Sequence, residues 1–210
     1  MELSIQTFVS MCQWDASRLL IFSDNVFGTL IYYSHFLALI LSVLFGVFVL
    51  SKDRKGLLNK LLFLIMIMFS LWVFFDLILW ANERPELIMF FWSVMLVIEP
   101  LIYALCVYFV SVYIEKKDIS FRKKVAMFSL LLPVILFLPT KLALVGFDLT
   151  NCFREPIEGF IATYYVYFIE IVYALWIILY GVRKYLKSSG ILKKQILLIT
   201  GGIILFLLSF

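Results

Sequence analysis

The sequence predicts an all-α protein of the polytopic transmembrane kind: a helical bundle with six helices visible and a seventh expected beyond the C-terminal end. Three observations predict it. Hydrophobic residues make up 64% of the chain and charged ones 15%, with a mean hydropathy of +1.06. A soluble domain carries roughly 45–50% apolar and about 25% charged residues, so lipid must act as solvent for much of this surface. The apolar residues fall in continuous runs near the roughly 20 residues that span a bilayer. Finally, lysine and arginine collect in every second connection between those runs. Only helices or closed barrels satisfy backbone polar groups in lipid. Barrel strands would alternate apolar and polar residues over about 10 positions, which these runs do not do.

Residues 1–26 read as an external N-terminal segment. They are not a secretory signal, because Glu2 and no basic residue open the chain and no small-residue cleavage site follows a short apolar core. The transmembrane bundle occupies 27–210, with spans predicted at 27–50, 61–80, 87–113, 125–140, 161–180 and 194–210. The fourth is short, and Pro133 within it should break the helical hydrogen bonding so that neighbours must cover the freed carbonyl. The sixth carries Gly201 and Gly202 beside Thr200, small residues that permit close helix contact. It ends at Leu207, Leu208, Ser209 and Phe210 with no polar flank, so the parent protein is expected to continue through a seventh helix.

The first, third and fifth connections hold fourteen of the 18 basic residues, among them Arg54, Lys117, Lys123, Arg183 and Lys194. Only Arg18, Arg84, Lys141 and Arg154 lie on the other side. By the positive-inside rule the basic loops are cytoplasmic and the N-terminus is outside. This is a multi-pass protein of the cell membrane, with the lipid bilayer as its first partner.

Three carboxyl groups, Asp76, Glu99 and Glu170, fall inside apolar runs. An ionisable group at membrane depth costs about 2.5–3.5 kcal/mol by insertion scales, so it faces the bundle interior or a wet cavity and is neutral or paired. Trp92, Tyr103 and Cys106 stand at helical spacing from Glu99 on one face. Pro100 removes the donor for the Leu96 carbonyl and can kink the helix beside the acid, making a ligand cradle. Tyr167 and Tyr173 flank Glu170 at spacing three, where their hydroxyls could bond it. Asp76 shares a face with Trp72 and Trp80. These acids could line one outward-opening cavity rimmed by Trp80, Trp92, Tyr164 and Tyr165. The candidate ligand-binding residues are therefore Asp76, Trp92, Glu99, Tyr103, Tyr167, Glu170 and Tyr173. The opposing reading is that the acids only hydrogen-bond neighbouring helices and fix the packing.

No catalytic motif is present: there is no HExxH, GxSxG or P-loop. No cofactor, metal or nucleic acid is implied. Cys12, Cys106 and Cys152 lack CxxC spacing. Cys12 and Cys152 fall on the outer side, either as a disulfide or as two free thiols; Cys106 is a packing residue. The lone His35 suits a hydrogen bond at the outer end of the first helix better than a metal.

The pattern of the chain from Phe27 to Phe210 resembles the N-terminal seven-helix membrane sensor region of bacterial sensor histidine kinases. Three stretches carry the resemblance: KGLLNKLLFLIMIMFSLWVFFDLILW (Lys55–Trp80), FFWSVMLVIEPLIYALCVYF (Phe90–Phe109) and LKKQILLITGGIILFLL (Leu192–Leu208). The family's basic-Asn junction, aromatic pairs, interior proline and basic-Gln opening with small residues fall on Asn59, Trp72, Trp92, Pro100, Lys194, Gln195 and Gly201. The resemblance implies a sensor or receptor module of signal transduction in a two-component system. Such a module couples an external or intramembrane stimulus to a cytoplasmic kinase or other output domain in the same parent chain, commonly as a homodimer. Two other readings stay open. One is a small proton- or cation-coupled transporter or channel using the intramembrane carboxylates; the other is a membrane assembly subunit without a ligand.

Overall fold

A computed structural model describes residues 17–23, 29–148 and 155–209. Cys12, Cys152 and most of the segment 1–26 lie outside the described residues. The chain runs α1 (Thr29–Lys52), α2 (Leu57–Ala81), α3 (Pro85–Glu115), α4 (Phe121–Ser129), α5 (Leu132–Phe137), β1 (Leu144–Asp148), β2 (Glu155–Glu158), a π-helical turn (Ile161–Val166), α6 (Tyr167–Lys187) and α7 (Gly190–Leu207). Among the described residues five helical stretches are long and apolar enough to cross a membrane: α1, α2, α3, the π turn joined to α6, and α7. The fold is an all-α polytopic bundle.

Helix α3 is the mast of the bundle. It starts with Pro85 in its first turn and Glu86 close behind, where a missing N–H and a negative charge suit a helix N-terminus. It ends at Lys116, which adopts the left-handed conformation (φ 55°) and returns its N–H to the Val112 carbonyl. From Ile102 to Val112 every residue is buried. A helix apolar all round and buried all round belongs at the centre, and α3 packs against α2, α4, α5, α6, α7 and both strands. Helix α1, by contrast, packs chiefly on α2. That seam is held by Gly46 against Met66, a 2.7 Å Ser42–Ser70 hydroxyl contact, and the Asn59 amide donating to the Val49 carbonyl at 3.0 Å.

The fourth apolar run is divided. Pro133 offers no N–H to the Ser129 carbonyl, and the run splits into α4 and α5 at Leu130–Leu131. Neighbouring tyrosines cover the carbonyls at the break. The Tyr165 hydroxyl donates to Leu130 O at 2.9 Å and the buried Tyr173 hydroxyl to Met127 O at 2.6 Å. The close contact expected at Gly201 and Gly202 lies elsewhere: both face open space, and it is Gly181 of α6 that sits against Thr200 of α7.

A two-stranded antiparallel hairpin, absent from the sequence reading, fills the connection after α5. Leu144 pairs with Glu158 and Asp148 with Glu155, with an irregularity between Leu144 and Gly146. At its base the Gly159 N–H donates to Ala143 O at 2.8 Å, and a Cβ on Gly159 would stand 2.5 Å from the carbonyls of both Lys141 and Leu142. The hairpin marks one end of the bundle. The opposite end carries the basic loops; there Glu115 of α3 accepts from the Tyr180 hydroxyl at 2.6 Å and pairs with Lys184 at 2.5 Å, both on α6.

Candidate functional site

A cavity of about 190 Å³ lies in the half of the bundle under the hairpin. Four segments build its walls. Trp72 and Asp76 come from α2, one helical turn apart. Trp92, Met95, Leu96 and Glu99 come from α3, on one face just before Pro100. Glu158 closes the hairpin side, and Ala162, Val166, Tyr167 and Glu170 come from the π turn and α6. A π-helical turn widens the helix and shifts the register of its faces, a feature frequent at functional sites. Here it aligns small and medium side chains with Glu170 on the cavity side.

Four carboxyl groups therefore share this cavity, and their hydrogen bonding differs. Asp76 accepts from the Trp80 indole at 3.1 Å and faces the His35 imidazole at 3.5 Å. Glu158 accepts from the Trp92 indole at 3.1 Å, and Thr163 stands at 3.5 Å from its other oxygen. Glu99, half-buried, faces the Trp72 indole. Glu170 is only 6% exposed, and its Oε1 has no hydrogen-bond partner. An unsatisfied polar atom of this kind costs about 1–3 kcal/mol, more when charged. Leu96 also lines the wall, and Pro100, four residues on, has no N–H to donate to its carbonyl. The cavity thus presents acceptors and an apolar and aromatic lining, and among the described residues no lysine or arginine lines it.

Of the seven residues singled out from the sequence, the structure brings Asp76, Trp92, Glu99, Tyr167 and Glu170 to this one cavity. Tyr103 and Tyr173 are not on its wall. Tyr103 donates to the Leu207 carbonyl at 2.8 Å, tying α3 to α7, and Tyr173 ties α6 to α4. The Tyr173 hydroxyl thus bonds a neighbouring helix, where its spacing suggested Glu170. Of the expected rim, Trp92 is on the wall, Trp80 holds Asp76 from outside it, and Tyr165 serves the α4–α5 break. Sequence reasoning missed Glu158, which stands in a connection and not in an apolar run. Its signal was the nearby Gly159, whose close approach to the backbone fixes the last hairpin residue against the bundle.

Residues 34–210 match the family described as the N-terminal 7TM region of histidine kinase. That is most of the chain, and the chain belongs to this family, a multi-pass membrane region of sensor type. No curated protein and no solved structure matches it.

Proposed function

We propose that this member of the histidine kinase 7TM family senses a stimulus in the carboxyl-lined cavity and passes it along α6 to a cytoplasmic kinase output. One observation carries the reading. The buried Glu170 stands on the same helix that is clamped to α3 at the basic end, through Tyr180 and Lys184 on Glu115. About 20 Å of helix separates the two ends. A change of charge or occupancy at Glu170 acts directly on that rod, and α7 follows it after only a short turn. A stimulus can shift the module between two arrangements only by its differential affinity for them. The unsatisfied Glu170 oxygen is a group whose free energy such a stimulus would change.

In this reading the basic end faces the cytoplasm, in keeping with the lysine and arginine bias, and the hairpin faces outward. A further transmembrane helix after α7 would lead back to the kinase, and two copies would pair within the bilayer. The test is a chimaera joining the chain, through such a helix, to a histidine kinase catalytic core in proteoliposomes. Glu99→Gln and Glu170→Gln, which fix the uncharged form, should each change autophosphorylation by about fivefold or more, the scale of an allosteric coupling of ~1 kcal/mol. Unchanged phosphorylation in both would overturn the proposal.

A further inference from the structure

The acids of the cavity do not converge on one point. Among the described residues no three His, Cys, Asp or Glu side chains come close enough to hold a metal ion, although four carboxyl groups line the same space. A single small ion would leave some of them unmatched. What fits is an extended species that brings positive charge and several N–H donors. Glu170 Oε1 calls for a donor. A quaternary ammonium has none to give, and a zwitterionic ligand would bring another carboxylate among the acids. Size narrows the choice further. A cavity of ~150 Å³ accepts benzene, so about 190 Å³ suits a ligand of roughly six to eight non-hydrogen atoms. Trp72 and Trp92 supply aromatic surface, which attracts cations.

We infer that the cavity binds a small protonated aliphatic diamine, one ammonium donating to Glu170 and Glu99 and the other reaching toward Glu158 or Asp76. This rests on the sensing role proposed above and names its ligand class. The methylene chain would lie along Met95, Ala162 and the indoles, and no covalent step is involved.

The probe is 1,4-diaminobutane, titrated calorimetrically against the 210-residue chain in lipid nanodiscs, with 1,4-butanediol and tetramethylammonium as controls. The diamine should bind, the diol should not, and tetramethylammonium should bind at least about tenfold more weakly, the worth of charge-assisted N–H bonds. Glu170→Gln should weaken diamine binding about tenfold. Glu158→Gln, at the hairpin edge where the fold depends on it less, should weaken it by a smaller factor. Diamine binding no tighter than diol binding, or undiminished in both variants, would overturn the inference. If diamine binding is absent while the chimaera still responds to Glu99→Gln and Glu170→Gln, the ligand class falls and the sensing role stands. If the diamine binds and the kinase output is indifferent to those variants, the binding site stands and the sensing role falls.

Discussion

The two halves of α3 are made from similar residues and do opposite things. After Pro100, from Ile102 to Val112, no side chain is exposed and the helix is the dry centre of the bundle. Before Pro100, few residues are buried, and Trp92, Met95, Leu96 and Glu99 face open space shared with three other acids. Mean apolarity does not separate the halves. What separates them is the carboxyl and the proline in the helix interior, Glu99 and Pro100, which sit side by side at the boundary. Close packing is intolerant of change and resists deformation, whereas a cavity holding an unpartnered carboxyl oxygen can be filled or discharged. The packed half is therefore the fulcrum and the open half is the part that can respond.

The largest expected effect tests that division directly. Ile102→Ala, at a fully buried site, should destabilise the protein by about 2–5 kcal/mol, as large-to-small core changes do. Met95→Ala on the cavity wall should cost well under that, because it enlarges a space that already exists. Thermal unfolding in detergent, or resistance to denaturation in mixed micelles, compares them. Equal losses would erase the distinction between the halves. Next in size is Gly159→Ala. Its Cβ would meet two backbone carbonyls at 2.5 Å, and backbone cannot rotate away as a side chain can. The hairpin must lift, costing about 1–3 kcal/mol as overpacking does. Glu158 would leave the wall with it, so diamine affinity should fall together with stability. Trp92→Phe is milder. It deletes the indole donor to Glu158 and keeps the ring, for a loss of about 1 kcal/mol.

Much of this architecture was legible in the sequence, and the illegible parts have physical reasons. Continuous apolar runs specify membrane helices because lipid admits only helices and closed barrels, and barrel strands would alternate, so α1, α2, α3, α6 and α7 follow from composition and length. Pro133 foretold the break between α4 and α5, though not that Tyr165 and Tyr173 would bond the nearby carbonyls of Leu130 and Met127. Asp76, Glu99 and Glu170 could be gathered in advance because a charge in lipid must face inward. The hairpin could not be foreseen: Leu144–Asp148 and Glu155–Glu158 are too short and mixed to show a period. Spacing along one helix also misassigned Tyr103 and Tyr173. Their hydroxyls bond carbonyls on other helices, and which helix stands opposite is a tertiary fact. The same limit misplaced the tight helix contact, which Gly181 makes and Gly201 and Gly202 do not.

The smallest effect belongs to the turn after α3, where the Asp118–Lys124 contact is exposed. Asp118, in the turn after α3, accepts from the Lys124 ammonium at 2.6 Å and the Tyr108 hydroxyl at 2.6 Å. These donors, Lys124 foremost, hold its carboxyl below the ordinary value of 3.8. A carboxyl so lowered in the folded state adds stability that is fully present above its unfolded value and is lost as pH falls through the folded one. Wild type should therefore melt slightly above Asp118→Asn at neutral pH, and the two curves should merge in acid. Exposed pairs contribute little, so the gap should be small beside that of Ile102→Ala. A gap of comparable size, persisting in acid, would mean that the basic turn holds α3 as firmly as its packed half does. The fulcrum would then have to be moved from the core to the loop.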